Sequence, residues 1–349
     1  MLRLQKIGQR SIGAGTPVFL IAEVAQAHDG SLGAAHAFVE VAAQAGADAI
    51  KFQTHFAAEE STLDEPFRVQ FSQQDETRYG YWQRMEFSEE QWAGLASHAR
   101  ERELIFLSSP FSTKAVDLLD RLGVPAWKVA SGETNSGGLL EAMISTGKPL
   151  LMSTGMSSWN EIDAQIAYLE GTGNGFAILQ CTSRYPTSLE DVGMNVLVEM
   201  REKFDCPVGL SDHSGTPYPA LAAMAQGVDL VELHIAMHKL QFGPDTPASL
   251  TPDQFAEIAR ARDAFHVLAG NPVEKDEMAE ALAPTRAIFS RSLAPAFDLA
   301  AGTVLTEDMI ALRKPGTGIP ESRKEEIIGR RLAHDVVALH LFQLSDFVE

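Results

Sequence analysis

Two short apolar runs each end in a histidine: Val208-Gly-Leu-Ser-Asp-His-Ser-Gly215 and, one helical stretch later, Val231-Glu-Leu-His234. Each reads as a buried strand delivering its last polar side chain to a rim. The intervening Pro219-Ala-Leu-Ala-Ala-Met-Ala-Gln-Gly227 reads as a helix closed by glycine. Strand, helix, strand makes the two runs parallel neighbours, which can bring His213 and His234 together. A pair of neutral imidazoles is a nucleus for a divalent-metal site. The plainer alternative is two rim histidines bonded to backbone.

Lysines supply the second signal. Lys51 and Lys128 each sit inside an otherwise apolar run, Ala49-Ile-Lys-Phe-Gln53 and Trp127-Lys-Val-Ala130. An ammonium there is costly unless it meets an anion. Ser108, Ser109, Ser131, Ser153, Thr154 and Ser211 fall at the ends of similar runs, and lysine with hydroxyls makes a phosphate cradle. Glu23, Glu133 and Glu232 fall at strand ends too. A carboxylate beside a metal and a phosphate can move protons, unless it merely pairs with a lysine. Metal, anion cradle and base together fit carbonyl chemistry on a phosphorylated small molecule.

The elements that must position these groups recur along the chain. Continuous apolar runs begin near residues 18, 49, 104, 127, 150, 176, 208 and 230, as expected of strands covered on both faces. Helical patterns fill most gaps, with capping cues at Ser88/Gln91 and Ser158/Glu161. About eight strand–helix units predict a (β/α)8 barrel over residues 1–270, with its active site at the carboxyl ends of the strands. The competing doubly wound sheet lacks support, since no Gly-x-Gly-x-x-Gly follows the first strand. Residues 54–87, rich in aromatic and charged side chains, read as an insertion over the barrel mouth. Residues 271–289 read as a linker, and 290–349 as a small β-rich domain too small to bury much core alone.

A formal net charge of -19 argues against nucleic acid as a partner. No run is long enough to span a bilayer, and the amino terminus lacks a signal-peptide pattern. Cys181 and Cys206 show no metal-like spacing, so a reduced, cytoplasmic protein is expected.

The ordered motifs resemble the phosphoenolpyruvate-dependent sialic acid synthase family, which includes N-acetylneuraminate, legionaminate, pseudaminate and spore-coat polysaccharide synthases. The matching runs include Gly46-Ala-Asp-Ala-Ile-Lys-Phe-Gln53, Phe106-Leu-Ser-Ser-Pro-Phe111, Lys128-Val-Ala-Ser-Gly-Glu133, Cys181-Thr-Ser-Arg-Tyr-Pro186 and Gly209-Leu-Ser-Asp-His213. The tail, with Lys314-Pro-Gly-Thr-Gly-Ile-Pro320, is similar to that family's antifreeze-like (SAF) domain. The resemblance implies a barrel joined to an SAF domain, in a domain-swapped homodimer. It implies Mn2+ or Mg2+ on His213 and His234, and phosphoenolpyruvate on Lys51, Lys128, Ser131, Ser153 and Ser211. The aldose would meet Gln53, Ser183, Tyr185, Asp245 and Lys314, with Glu23 as acid/base and Glu133 a second candidate.

Several positions depart from the family pattern. Gln26-Ala27 replaces an apolar-Asn pair before His28, Ser183 stands where an asparagine often contacts substrate, Gln180 where histidine is frequent, and Leu233 where lysine is frequent. Arg313-Lys314-Pro315 reverses Lys-Arg-Pro, and lysine does not reproduce a guanidinium fork. The expected reaction joins phosphoenolpyruvate to an N-acylated hexosamine-type aldose. The alternatives are a related synthase using another aldose and a catalytically silent carbohydrate-binding protein.

Overall fold

The computed structural model describes residues 4–348. The chain divides into two units, Met1–Gly270 and Asn271–Glu349.

In the first unit, β1 (Lys6–Ile7) and β2 (Arg10–Ser11) form an antiparallel hairpin. Eight parallel strands follow: β3 (Phe19–Ala25), β4 (Ala49–Thr54), β5 (Ile105–Pro110), β6 (Trp127–Val129), β7 (Leu150–Ser153), β8 (Phe176–Cys181), β9 (Val208–Asp212) and β10 (Leu230–His234). Their order across the sheet is β5-β4-β3-β10-β9-β8-β7-β6. β5 and β6 lie side by side without a ladder between them, which rolls the sheet into a (β/α)8 barrel. Helices occupy the expected gaps, from Leu32–Gln44 to Pro252–Gly270, and both capping boxes form. Gly123 stops its helix at φ +76°, a conformation open to glycine at little cost. None of the described helices is long and apolar enough to cross a membrane.

Strand alternation splits the apolar residues into two cores. Outward residues such as Leu20, Ile50, Phe52 and Val231 pack beneath the helices, with Trp92 and Phe255. Inward residues Phe19, Ile21, Ala49, Leu107, Leu151, Leu179 and Leu230 fill the barrel, and Ile7 of the hairpin joins them. The inward series then turns polar: Phe19 and Ile21 lead to Glu23, Ala49 to Lys51, Leu151 to Ser153, and Leu230 to Glu232 and His234. One end of the barrel is therefore packed and the other is chemical.

Residues 54–87, expected as an insertion, carry two helices, Ala57–Glu60 and Arg78–Met85. Arg84 ties the second helix to the loop after β3 and to the segment leading into it, its guanidinium 2.7 Å from both Asp29 and Asp75.

In the second unit, helices Lys275–Ala281 and Ala283–Phe289 occupy the stretch expected as a linker. β11 (Ser292–Pro295) pairs antiparallel with β12 (Ile310–Arg313). Single bridges such as Leu299–Val336 and Leu332–Phe347 tie the rest around a small core of Leu293, Leu305, Ile327 and Phe342.

Candidate active site

Strand register assembles the site. His234 of β10 pairs with Glu23 of β3, and Glu23 pairs with Lys51 of β4, so three chemically active residues form one row across adjacent strands. Glu232 pairs with Ser211 one step below, and Ser211 with Cys181. Above this floor opens a cavity of about 530 Å³. Glu23, Lys51, Gln53, Lys128, Ser131, Glu133, Ser153, Ser183, Tyr185, Ser211, His213, His234 and Asp245 all line it. Lys314 belongs to the second unit, where its ammonium lies 5.2 Å from the Phe289 ring.

Four buried charges form the floor. Lys51 Nζ is 2.7 Å from Glu23 Oε2 and 3.7 Å from Glu232 Oε1, and Lys128 Nζ is 3.6 Å from that same Glu232 oxygen. Hydroxyls complete the ammonium shells: Lys128 donates to Ser153 Oγ at 2.7 Å and Lys51 to Ser109 Oγ at 3.2 Å. Burial pushes the Glu23 carboxyl up to about 7 against the pull of Lys51. Glu232 goes the other way, because Lys128 and Lys51 outweigh its burial. Lys128 is drawn below the ordinary lysine range by burial, whereas Glu23 and Glu232 outweigh burial at Lys51 and hold it above. Near neutral pH two ammonium groups thus face one firmly ionised carboxylate and one that holds a proton part of the time. That surplus of positive charge suits an anion.

The two imidazoles stand beside it, ring centroids 5.2 Å apart at 64°. His213 Nδ1 lies 2.9 Å from the Thr182 carbonyl, so Nδ1–H donates and Nε2 keeps its lone pair. His234 is held well below its ordinary value by burial and by His213, and its Nδ1 is buried with no partner among the described residues. At His213 burial is outweighed by Cys181 and the Thr182 carbonyl, which hold the ring above its ordinary value, so it offers Nε2 to a divalent ion once deprotonated, whereas His234 is neutral as it stands. Among the described residues no group of three His, Cys, Asp or Glu side chains forms a ready cage, so the pair would share a metal with other donors. Tyr185 stacks on His213 at 4.1 Å and meets His234 edge-on at 5.7 Å.

Other residues in the cavity were not singled out from sequence. Arg68, from the insertion, lies 4.4 Å over the Tyr185 ring and 2.8 Å from Asp245 Oδ1. His55, one residue past β4, is stacked between Trp82 at 4.1 Å and Phe111 at 4.4 Å. Its position after a strand end, five residues before Glu60, was the one available signal. Cys181, given no role from sequence, faces the cavity 3.8 Å from His213 Nδ1.

Comparison with known proteins supplies the context for this geometry. Residues 38–274 match the model of the NeuB family, and residues 290–348 match the SAF domain. N,N'-diacetyllegionaminic acid synthase of Legionella pneumophila is 33% identical over 95% of each chain. Human N-acetylneuraminate-9-phosphate synthase is 32% identical, over 95% of this chain and 93% of its own. The crystal structure of N-acetylneuraminic acid synthetase from Leptospira borgpetersenii superposes with a TM-score of 0.70 at 26% identity, covering 79% of this chain and 94% of that one.

Proposed function

Because the chain belongs to the NeuB family and is a synthase of that family, we propose that it joins phosphoenolpyruvate, an open-chain N-acylated hexosamine-type aldose and water into a nonulosonic acid and phosphate. The aldose class is N-acetylmannosamine or a 2,4-diacetamido-2,4,6-trideoxyhexose. The observation that carries the reading is the convergence of Lys51 and Lys128, with Ser153 and Ser211, beside the His213–His234 pair in one cavity.

Phosphoenolpyruvate lies on Lys51, Lys128, Ser131, Ser153 and Ser211, with its anionic groups on the ammonium surplus. Gln53, Ser183, Tyr185 and Asp245 hold the aldose so that its aldehyde carbon faces C3 of the enol ester. The new bond forms between those carbons, and the aldehyde oxygen takes a proton. Water adds at C2, losing a proton, and phosphate leaves by C–O cleavage to give the 2-keto acid. Glu23, with a pKa near 7, can hold or release a proton at working pH, and Glu133 is the second candidate. A divalent ion bound by His213 and His234, Mn2+ or Mg2+, would supply Lewis acidity toward the aldehyde. Fixing both reactants in register contributes the largest share of the acceleration.

The proposal includes a homodimer in which the SAF domain supplies Lys314 on the sugar side, and a reduced cytoplasmic setting that keeps Cys181 a thiol. Product would feed a surface polysaccharide or glycan. The departures at Gln26 and Ser183, both of which line the cavity, favour an aldose different from that of the named relatives. The test is phosphate release across a panel of N-acylated aldoses, each with phosphoenolpyruvate and Mn2+ or Mg2+. Release that needs all three components supports the reading. Folded, metal-loaded protein that is silent across the panel overturns it.

A further inference from the structure

Glu60, His55, Gln26 and Gln53 form an unbroken hydrogen-bonded chain that ends on Glu23. His55 Nδ1 lies 2.8 Å from Glu60 Oε1, and His55 Nε2 lies 2.9 Å from Gln26 Nε2. The same Gln26 nitrogen donates to Gln53 Oε1, and Gln53 Nε2 donates to Glu23 Oε1 at 2.9 Å. An amide nitrogen can only donate. His55 Nε2 must therefore accept, which puts the ring's proton on Nδ1, donated to Glu60. Every direction in the chain follows from that step. The 3.3 Å approach of His55 Nε2 to Gln53 Oε1 is a bond only in the opposite tautomer.

The surroundings fix the members of the chain. Trp82 and Phe111 clamp the His55 ring at interplanar angles of 20° and 13°, leaving it no freedom to tilt. Glu60 ends the helix Ala57–Glu60, whose first backbone N–H is anchored on Glu86 Oε1 at 2.8 Å. Gln26 is buried and lines the cavity. It also stands where the family pattern carries an apolar residue, which could give no hydrogen to either neighbour.

We propose that Gln26, His55 and Glu60 are positioning residues that hold Gln53 against Glu23 and so fix the orientation of that carboxylate. Gln26 is the hub, spending both amide hydrogens to hold His55 and Gln53 at once. The inference rests on the acid/base role read for Glu23 above.

The test uses the full chain with 15N-labelled histidine and two variants that leave the aromatic clamp in place, Gln26→Leu and Glu60→Gln. Long-range proton–nitrogen correlation, with the His55 signal identified by its loss in His55→Gln, should report a neutral ring protonated on Nδ1. Gln26→Leu and Glu60→Gln should each lose that fixed tautomer. In phosphate-release kinetics each should lower kcat about 10- to 100-fold, the size seen when the group behind a functional side chain is removed. KM for phosphoenolpyruvate should stay within about twofold, because the anion cradle is untouched. A wild-type ring protonated on Nε2 overturns the chain as drawn. Unchanged kcat in both folded variants, in an enzyme that turns over, overturns the positioning role alone. Absence of turnover in the wild type overturns the functional reading instead, and the tautomer measurement still decides the chain.

Discussion

Replacing Lys51 by methionine removes a buried ammonium while nearly preserving volume. Lys51 lies 2.7 Å from Glu23 and 3.7 Å from Glu232, with all three side chains no more than 5% exposed. Glu23 already has a folded pKa of about 7 against an ordinary 4.5. A folded value above the unfolded one means that the native state binds the extra proton between the two. Stability therefore falls as pH rises through that window and levels off above about 7. Without the ammonium the folded value climbs further, so in the variant the fall continues. Each further pH unit costs about 1.4 kcal/mol for one proton. Between pH 7 and 8.5 Lys51→Met should thus lose about 2 kcal/mol that the wild type does not. At pH 6 Glu23 is mostly protonated in both, and the remaining deficit comes from Glu232, which keeps Lys128. Urea unfolding followed by tryptophan fluorescence reads this directly, since all four tryptophans (residues 82, 92, 127 and 159) lie in the barrel unit. A stability gap equal at pH 6 and pH 8.5 would refute the coupling of Glu23 to Lys51.

Other substitutions address the rest of the site and the frame. His213→Asn and His234→Asn should each lower Mn2+ affinity, read by calorimetry, by more than the roughly 10- to 100-fold that follows loss of an outer-shell partner; full affinity in both rules out the pair as ligands. A methyl group on Gly155 would lie 2.5 Å from Ser183 Oγ, 2.8 Å from Cys181 Sγ and 2.9 Å from Ser131 Oγ. Those side chains can turn away, so Gly155→Ala should fold but raise KM for phosphoenolpyruvate about tenfold, or about 1.4 kcal/mol, and an unchanged KM counts against a cradle there. A Cβ on Gly209 would meet the Leu230 carbonyl oxygen at 2.5 Å, whereas one on Gly171 meets nothing within 4 Å. Gly209→Ala should cost about 3 kcal/mol and Gly171→Ala should gain up to about 1 kcal/mol; thermal melts showing the same sign for both would contradict the packing described.

The barrel was legible because burial on both faces makes each strand a continuous apolar run, and glycine stops and capping boxes mark the helices between them. Once the strand ends were located, Glu23, Lys51, Lys128, His213 and His234 followed from their place at the rim. The hairpin of β1 and β2 was not legible, since two-residue strands carry no periodicity. The helix Arg78–Met85 was missed because Tyr81 and Met85 are buried while Trp82 turns toward the cavity, so no single apolar stripe forms. Gln26 stood out only as a departure from the family pattern, and His55, Glu60 and Arg68 escaped for a related reason. They come from a loop and an insertion, where contacts are set by tertiary packing and not by spacing along the chain.

The break in the ladder between β5 and β6 has a mechanical meaning. Every other junction in the wall is laced by a backbone ladder, and this one is not. Directly below it lies a second hollow of about 570 Å³, bordered by Gly8, Arg10, Ile105, Phe106, Val124 and Pro125. A cylinder built this way has one unstitched edge, with an open hollow at the amino ends of its two strands. Heat, pressure or an oversized interior residue should part it there first, with Lys51 on β4 only one strand from the opening and His234 on β10 deepest in the laced wall.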